Sequence, residues 1–171
     1  IDCFESGSTI RFLMPIATLA NGEIEVTGRG RLVERPMDTY YRIFERQNIK
    51  YKTTDGKLPV TIKGKIKPDT FEMEGDISSQ FITGLLFTLP LLEGDSKIVI
   101  TTELESKGYV DLTIDTLKKF SIEIINNEYK EFVIKGNQKY KSRDYKVEGD
   151  YSQVAFWIVA GILNGDIKCN D

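Results

Sequence analysis

The stretch "EGDISSQFITGLLFTLPLLEGDSKIVITT", residues 74–102, is one of three passages in the chain that share a layout while differing in their letters. Ser78, Ser79 and the polar Gln80 lead into an apolar run that reads as a helix, and a Gly-Asp turn then feeds the alternating strand "SKIVITT". Residues 4–28, "FESGSTIRFLMPIATLANGEIEVTG", follow the same plan with Arg11 as the polar residue, and residues 148–171, "EGDYSQVAFWIVAGILNGDIKCND", begin it again.

Reading outward, the first passage predicts a helix over residues 7–20, with Ile10, Leu13, Met14, Ala17 and Ala20 at helical spacing, followed by the strand "EIEVTG". A second helix is predicted over 36–47, with Pro36 in its first turn and Met37, Tyr40, Ile43 and Phe44 on one side. The strands "IKYKTT" and "LPVTIKG" then meet at Asp55-Gly56, a hairpin signal. After residues 74–102 the series recurs: "VDLTIDTLKKFS" is helical, and "IEIINNEYKEFVIKG" is a hairpin turning near Asn126 and Asn127. Asp38 to Ile49 and Asp111 to Ile122 share a frame, and "VTIKG" and "FVIKG" close the two series. With a short strand before each first helix ("IDCF", "FEME", "YKVE"), the chain reads as βαβαββ units at 1–70 and 71–144, with 145–171 opening a further unit. The expected fold class is α/β (α+β): one such unit cannot cover its own apolar helix, so the repeats pack with helices inside and sheets outside.

Composition narrows the chemistry. Lys and Arg (23) nearly balance Asp and Glu (26), so no broad field exists to hold nucleic acid or an acidic membrane, and any anion must be met locally. The chain has no histidine, which excludes Ser-His-Asp and Cys-His nucleophile systems and leaves acid or base work to Asp, Glu, Lys or Tyr. Cys3 and Cys169 form no metal-binding pair, so no metal is expected and reduced thiols in a cytoplasmic protein are the simplest reading. No run suits a bilayer span, and no basic and apolar leader opens the chain. No methionine opens it either, so a piece of a longer protein is expected.

The repeated lead-in supplies the candidate site. Ser6, Gly7, Ser8 and Thr9 put helix-start N–H groups and hydroxyls together, which suits phosphate, and Arg11 would add a charged fork one turn in. Taken singly, such a start is accounted for by capping, with Arg11 on the surface. Ser78, Ser79 and Gln80 are neutral hydrogen-bonders for a polar ligand, or again a cap. In "RGRLVERPMD", Arg35 stands just before a helix where it could fork onto a carboxylate or phosphate, or pair with Glu34; Arg29 and Arg31 read as a solvated charge run. In "ESKGYVD", Ser106 and Tyr109 lead into another helix, where hydroxyls would meet a sugar-like ring, or Tyr109 would pack as a staple. Asp76 and Asp150 read as caps, Trp157 as core, and the Lys-rich "GNQKYKSRDYK" as a connection.

"ESGSTIRFL", "GRGRLVERP", "EGDISSQFITGLL", "SKGYVDLTIDTLKKF" and "VEGDYSQVAFWIVAG" together resemble, in order and spacing, the 5-enolpyruvylshikimate-3-phosphate synthase family, across essentially the whole chain. The resemblance implies an inside-out α/β barrel, or alpha-beta prism, of βαβαββ units. It implies transfer of an enolpyruvyl group from phosphoenolpyruvate to the 5-hydroxyl of shikimate 3-phosphate, without cofactor, in the pathway to aromatic amino acids. Gly7 and Arg11 resemble the family's contacts to the phosphate of phosphoenolpyruvate, and Arg35 the arginine on its carboxylate and phosphate. Ser78 and Ser79 are similar to the serines on the 3-phosphate of the second substrate, Gln80 to the glutamine touching both ligands, and Ser106 and Tyr109 to the pair on the phosphate and ring side. Arg35 and Gln80 are thereby the catalytic candidates.

Two departures stand out: Glu5 where many members carry Asn, and Gly108 in place of a proline between Lys107 and Tyr109. The family's N-terminal lysine-serine-arginine motif and its second-domain charged residues have no counterpart, so the chain alone is expected to be inactive. Its last 27 residues would either fill the place of a missing first unit or drive self-association. The intact enzyme is expected to be a monomer. The sister transferase acting on UDP-N-acetylglucosamine, and a non-catalytic scaffold, are the alternatives.

Overall fold

A computed structural model of the chain describes residues 1–170. They form two compact units, divided in sequence between Lys141 and Ser142.

The first unit, Ile1–Lys141, contains two structural repeats. In the first, helix α1 (Gly7–Ala17) is followed by strand β1 (Glu23–Val26), a 3₁₀ turn (Gly30–Glu34), helix α2 (Asp38–Arg46) and the hairpin of β2 (Lys50–Thr54) and β3 (Lys57–Lys63). The second runs β4 (Thr70–Met73), α3 (Ser79–Thr88), β5 (Ser96–Ile100), α4 (Lys107–Lys119), β6 (Ile124–Asn127) and β7 (Glu131–Ile134). The sheets are ordered β1-β3-β2 and β4-β5-β7-β6. The strand β4 pairs parallel to β5, and its counterpart in the first repeat, the predicted strand "IDCF", shrinks to a single parallel bridge between Asp2 and Thr27. Both sheets thus have one plan, with the leading strand reduced in the first.

The two second helices match residue for residue where they end. Asn48 (φ 55°) and Ser121 (φ 67°) take the left-handed conformation, and the next residues, Ile49 and Ile122, donate N–H groups back to the Phe44 and Leu117 carbonyls at 2.8 and 3.0 Å. This 6→1 closure is a Schellman stop, with a buried isoleucine at the same position of each. The shared Asp-to-Ile frame therefore marks a common helix ending.

Helices lie inside and sheets outside. Phe81, Ile82, Thr83, Gly84, Leu85, Leu86 and Thr88 are all buried, so α3 is covered round most of its circumference, with Gln80 and Phe87 partly exposed along one side. It packs between α1 and α4. In β3, Leu58, Val60 and Ile62 face in while Lys57, Pro59 and Lys63 face out, and Phe132 and Ile134 do the same for β7. Tyr40, Phe44, Ile10 and Met14 complete the core between α1, α2 and α3.

The second unit contains helix α5 (Tyr151–Asn164), capped by Asp150, whose carboxylate accepts the Ser152 and Gln153 N–H groups at 2.8 and 3.3 Å. The strands expected at "YKVE" and after α5 do not form among the described residues, and the end of the latter, residue 171, lies outside them. A strand needs an edge to pair with, and none is formed within this unit. Trp157, expected in a core, is 61% exposed, and Phe156, Ile162 and Leu163 are exposed as well.

Candidate functional site

Three of the four helix starts of the first unit carry candidate residues, and serine caps two of them. At α1, Ser6 is the cap: its hydroxyl accepts the Thr9 N–H at 3.1 Å and the Thr9 hydroxyl at 2.8 Å. At α3, Ser78 caps by accepting the Gln80 N–H at 3.3 Å. Ser106 holds the cap position of α4 without capping it, which leaves its hydroxyl for another partner. Asp76, read as a cap, is not one: its carboxylate accepts the Thr102 hydroxyl at 2.8 Å, and that hydroxyl oxygen takes the Gly75 N–H at 2.8 Å. Its side chain is used to tie the loop before α3 to the segment after β5.

Between these starts runs a groove of about 600 Å³ lined by Ser8, Ser78, Ser79, Gln80, Ser106 and Tyr109, with Phe12, Thr83, Phe87, Leu112, Thr113 and Thr116 along its side. All five of the residues predicted for a phosphorylated ring ligand therefore share one wall. Tyr109 is 63% exposed and packs as no staple, and its carbonyl accepts the Thr113 hydroxyl at 2.9 Å. Because Thr113 spends its proton there, the 3.1 Å contact between the buried Thr83 and Thr113 hydroxyls has Thr83 as donor.

Gln80 joins the two repeats. Its Oε1 accepts from Arg11 Nη1 at 2.9 Å, and its Nε2 donates to the Ser8 hydroxyl at 2.8 Å, a pairing that fixes which way the amide faces. Arg11 is only 8% exposed, lies over the Phe81 ring at 5.0 Å, and makes a long 3.4 Å bond to the Gly7 carbonyl. Its Nε is buried without a partner. Gly7 keeps the space clear: a Cβ there would stand 3.0 Å from Arg11 Nη1 and 3.7 Å from Arg35 Nη1. Arg35 is thus beside the same glycine, reached from the end of the 3₁₀ turn. Glu34 is taken by Lys57 at 3.5 Å, not by Arg35. Arg29, expected to be merely solvated, pairs with Asp2 at 2.6 Å.

Among the described residues, neither Arg11 nor Arg35 has an acidic partner within salt-bridge distance. Burial, and then the neighbouring Arg35 charge, push the Arg11 guanidinium below its usual range, although an arginine remains charged. Arg11 is desolvated without a counter-ion, and the exposed Arg35 approaches the same glycine, an arrangement that favours an anion there. The groove wall carries no Asp, Glu or Lys and one titratable side chain, Tyr109, so its chemistry is mainly that of hydroxyl and amide hydrogen bonding to a ligand.

Ser8, named from sequence as part of the first helix start, reaches the groove through its hydroxyl, whereas the apolar side formed by Phe12, Phe87 and Leu112 was not singled out. The signal that would have found Phe12 is position, one helical turn after Ser8 on the face Gln80 meets. The cysteines are free, Cys3 buried and Cys169 exposed. Among the described residues there is no group of three or more His, Cys, Asp or Glu able to hold a metal, and no helix long and apolar enough to cross a membrane.

Paired repeats with helices inside and sheets outside, and a hydroxyl-lined groove where their helices start, define a class of two-repeat α/β protein. The chain belongs to the EPSP synthase (3-phosphoshikimate 1-carboxyvinyltransferase) family, whose profile matches residues 1–171. It is 68% identical over its full length to the 3-phosphoshikimate 1-carboxyvinyltransferase of Clostridium novyi (strain NT) and 64% to that of Clostridioides difficile (strain 630). It spans 39% of the length of each of these relatives. The EPSP synthase of Acinetobacter baumannii shares the fold with a TM-score of 0.76 at 21% identity, covering 94% of this chain and 35% of that one.

Proposed function

We propose that this chain supplies part of the substrate cleft of an enzyme that transfers the enolpyruvyl group of phosphoenolpyruvate to the 5-hydroxyl of shikimate 3-phosphate and releases phosphate. The observation that carries the reading is the Arg11–Gln80–Ser8 bridge at 2.9 and 2.8 Å, which joins a pair of unneutralised arginines to a hydroxyl-lined groove. Arg11, Arg35 and the Gly7 backbone take the phosphate and carboxylate of phosphoenolpyruvate. Ser78, Ser79, Ser106 and Tyr109 take shikimate 3-phosphate, and Gln80 touches both.

In the reaction the phosphoenolpyruvate methylene gains a proton and its C2 is attacked by the 5-hydroxyl, which gives up its own proton, forming a tetrahedral intermediate. This then loses phosphate together with a proton from the new methyl group, which restores the C=C bond of the enolpyruvyl product. Charge on the phosphate and carboxylate is held by preorganised guanidinium and hydroxyl donors, which cost no reorganisation during the step. The groove wall has no Asp, Glu or Lys, and the carboxylates and lysine for proton transfer belong to the remaining length of the relatives. The chain alone is therefore inactive. We further propose repeat boundaries at 1–70 and 71–144, with 145–171 opening the second domain, and a monomeric, cytoplasmic intact enzyme.

The test is an NMR titration of the chain with shikimate 3-phosphate, with inorganic phosphate at matched ionic strength and UDP-N-acetylglucosamine as controls. Saturable shifts at Ser78, Ser79, Ser106 and Tyr109 with the first ligand alone support the reading. A response to the nucleotide sugar in its place would assign the sister transferase.

A further inference from the structure

Helix α1 contains Pro15, which has no N–H to return to the carbonyl four residues earlier, that of Arg11. The carbonyl is nevertheless satisfied. The Tyr40 hydroxyl, from α2, donates to it at 2.6 Å and also stands 3.0 Å from the carbonyl of Phe81 in α3. A tyrosine has one proton, so the two acceptors share it, with the shorter bond to Arg11. Tyr40 is fully buried, and burial raises its hydroxyl well above the usual tyrosine range, so it stays protonated and able to donate.

The helices close onto this hydroxyl because Gly84 of α3 has no side chain. A Cβ there would run into the Arg11 carbonyl and the Tyr40 hydroxyl and stand 3.1 Å from Pro15 Cγ. Above the joint, the Phe81 ring is held edge-on by Tyr40 at 4.9 Å and carries the Arg11 guanidinium at 5.0 Å on its face. One hydroxyl therefore holds the main chain of Arg11 and the main chain of the residue next to Gln80, the two residues whose side chains meet at 2.9 Å in the groove.

We infer that Tyr40 is a positioning residue of the anion site: it replaces the helical donor that Pro15 removes and fixes Arg11 of the first repeat against Gln80 of the second. This rests on the reading of that corner as the phosphoenolpyruvate subsite. The tyrosine touches no ligand. It acts through the Arg11 main chain, and Pro15, Tyr40 and Gly84 work as one joint.

The experiment uses the full chain labelled with ¹⁵N-arginine, comparing the parent with Tyr40→Phe, Pro15→Ala and the double variant. The first readout is the Arg11 Nε–H resonance and its hydrogen exchange, which need no ligand. The second is phosphoenolpyruvate affinity by titration, with Tyr41→Phe, which removes a buried hydroxyl on the same helix that makes no hydrogen bond to α1 or α3, as control. Tyr40→Phe is expected to speed exchange at Arg11 Nε–H and weaken phosphoenolpyruvate binding by about tenfold. Tyr41→Phe should leave both within about twofold.

Pro15→Ala restores an N–H to the Arg11 carbonyl, so in the double variant the Arg11 signal and the affinity return toward the parent. A purely structural loss in Tyr40→Phe would show as lower stability with the Arg11 resonance unmoved, and that result overturns the inference. So do effects of the two substitutions that simply add, because the inference requires that one donor stand in for the other. Should Tyr40→Phe fail to fold, the double variant against Pro15→Ala carries the same comparison. If the parent binds no phosphoenolpyruvate, the functional reading fails, while the Arg11 resonance still decides the role of Tyr40.

Discussion

Arg35 and Gln80 can be tested one side chain at a time. In the complete enzyme proposed above, Arg35→Ala should lower kcat/KM by more than about tenfold, or about 1.4 kcal/mol, because a forked cation is lost from where charge is held. A smaller fall by steady-state kinetics would remove Arg35 from the subsite. Gln80→Glu tests the neighbouring charge balance. A carboxylate 2.9 Å from Arg11 would be the counter-ion that corner lacks, so the chain should gain about 1 kcal/mol of stability in urea while losing most of its affinity for phosphoenolpyruvate. Equal affinity would mean that no anion sits beside Arg11. The eight candidate residues were named from residue type near helix starts and from the family resemblance, and the structure brings Ser78, Ser79, Gln80, Ser106 and Tyr109 to one groove and Arg11 and Arg35 beside Gly7. Tyr40 was not so named: it read as one apolar contact of an amphipathic helix, and nothing local says that its hydroxyl reaches a carbonyl 29 residues earlier in the chain.

Among elements, helices were legible and leading strands only in part. The apolar runs of α1 and α3 and the Asp55-Gly56 turn carry their own signals, whereas "IDCF" and "YKVE" have strand-like letters and become a bridge and an irregular segment. Strand formation depends on an edge elsewhere in the chain. The matched helix stops give a prediction at this scale. Asn48 suits the left-handed position of the first stop, but Ser121 occupies the same position of the second at φ 67°. A Cβ in that conformation costs about 1 kcal/mol, so Ser121→Gly should raise stability by about that much. Urea unfolding checks this, and a destabilised variant would mean that the Ser121 side chain contributes more than its backbone strain costs. Ser121 lies away from the groove, so the ligand shifts of the titration should be unchanged.

At the scale of the whole molecule, every candidate residue belongs to the unit Ile1–Lys141, while the exposed apolar side chains Phe156, Trp157, Ile162 and Leu163 belong to the unit that follows. Binding and association should therefore separate on cutting the chain after Lys141. The shortened chain keeps both sheets and all four helices of the two repeats, so it should fold cooperatively and give the same shifts with shikimate 3-phosphate. The complete chain presents a contiguous apolar helix to solvent, a surface of the kind that soluble proteins cover, and should associate as its concentration rises. Light scattering would show a monomer for residues 1–141 and a concentration-dependent dimer for 1–171, with Trp157 emission moving to the blue as the dimer forms. A monomeric complete chain with Trp157 freely quenched would mean that α5 is solvated as it stands. A monomeric chain with Trp157 protected would mean that α5 folds back on its own chain, the arrangement in which the third copy stands in for a missing repeat. Loss of the ligand shifts on truncation would show instead that the groove depends on residues after Lys141, and that the anion site is not complete within the two repeats.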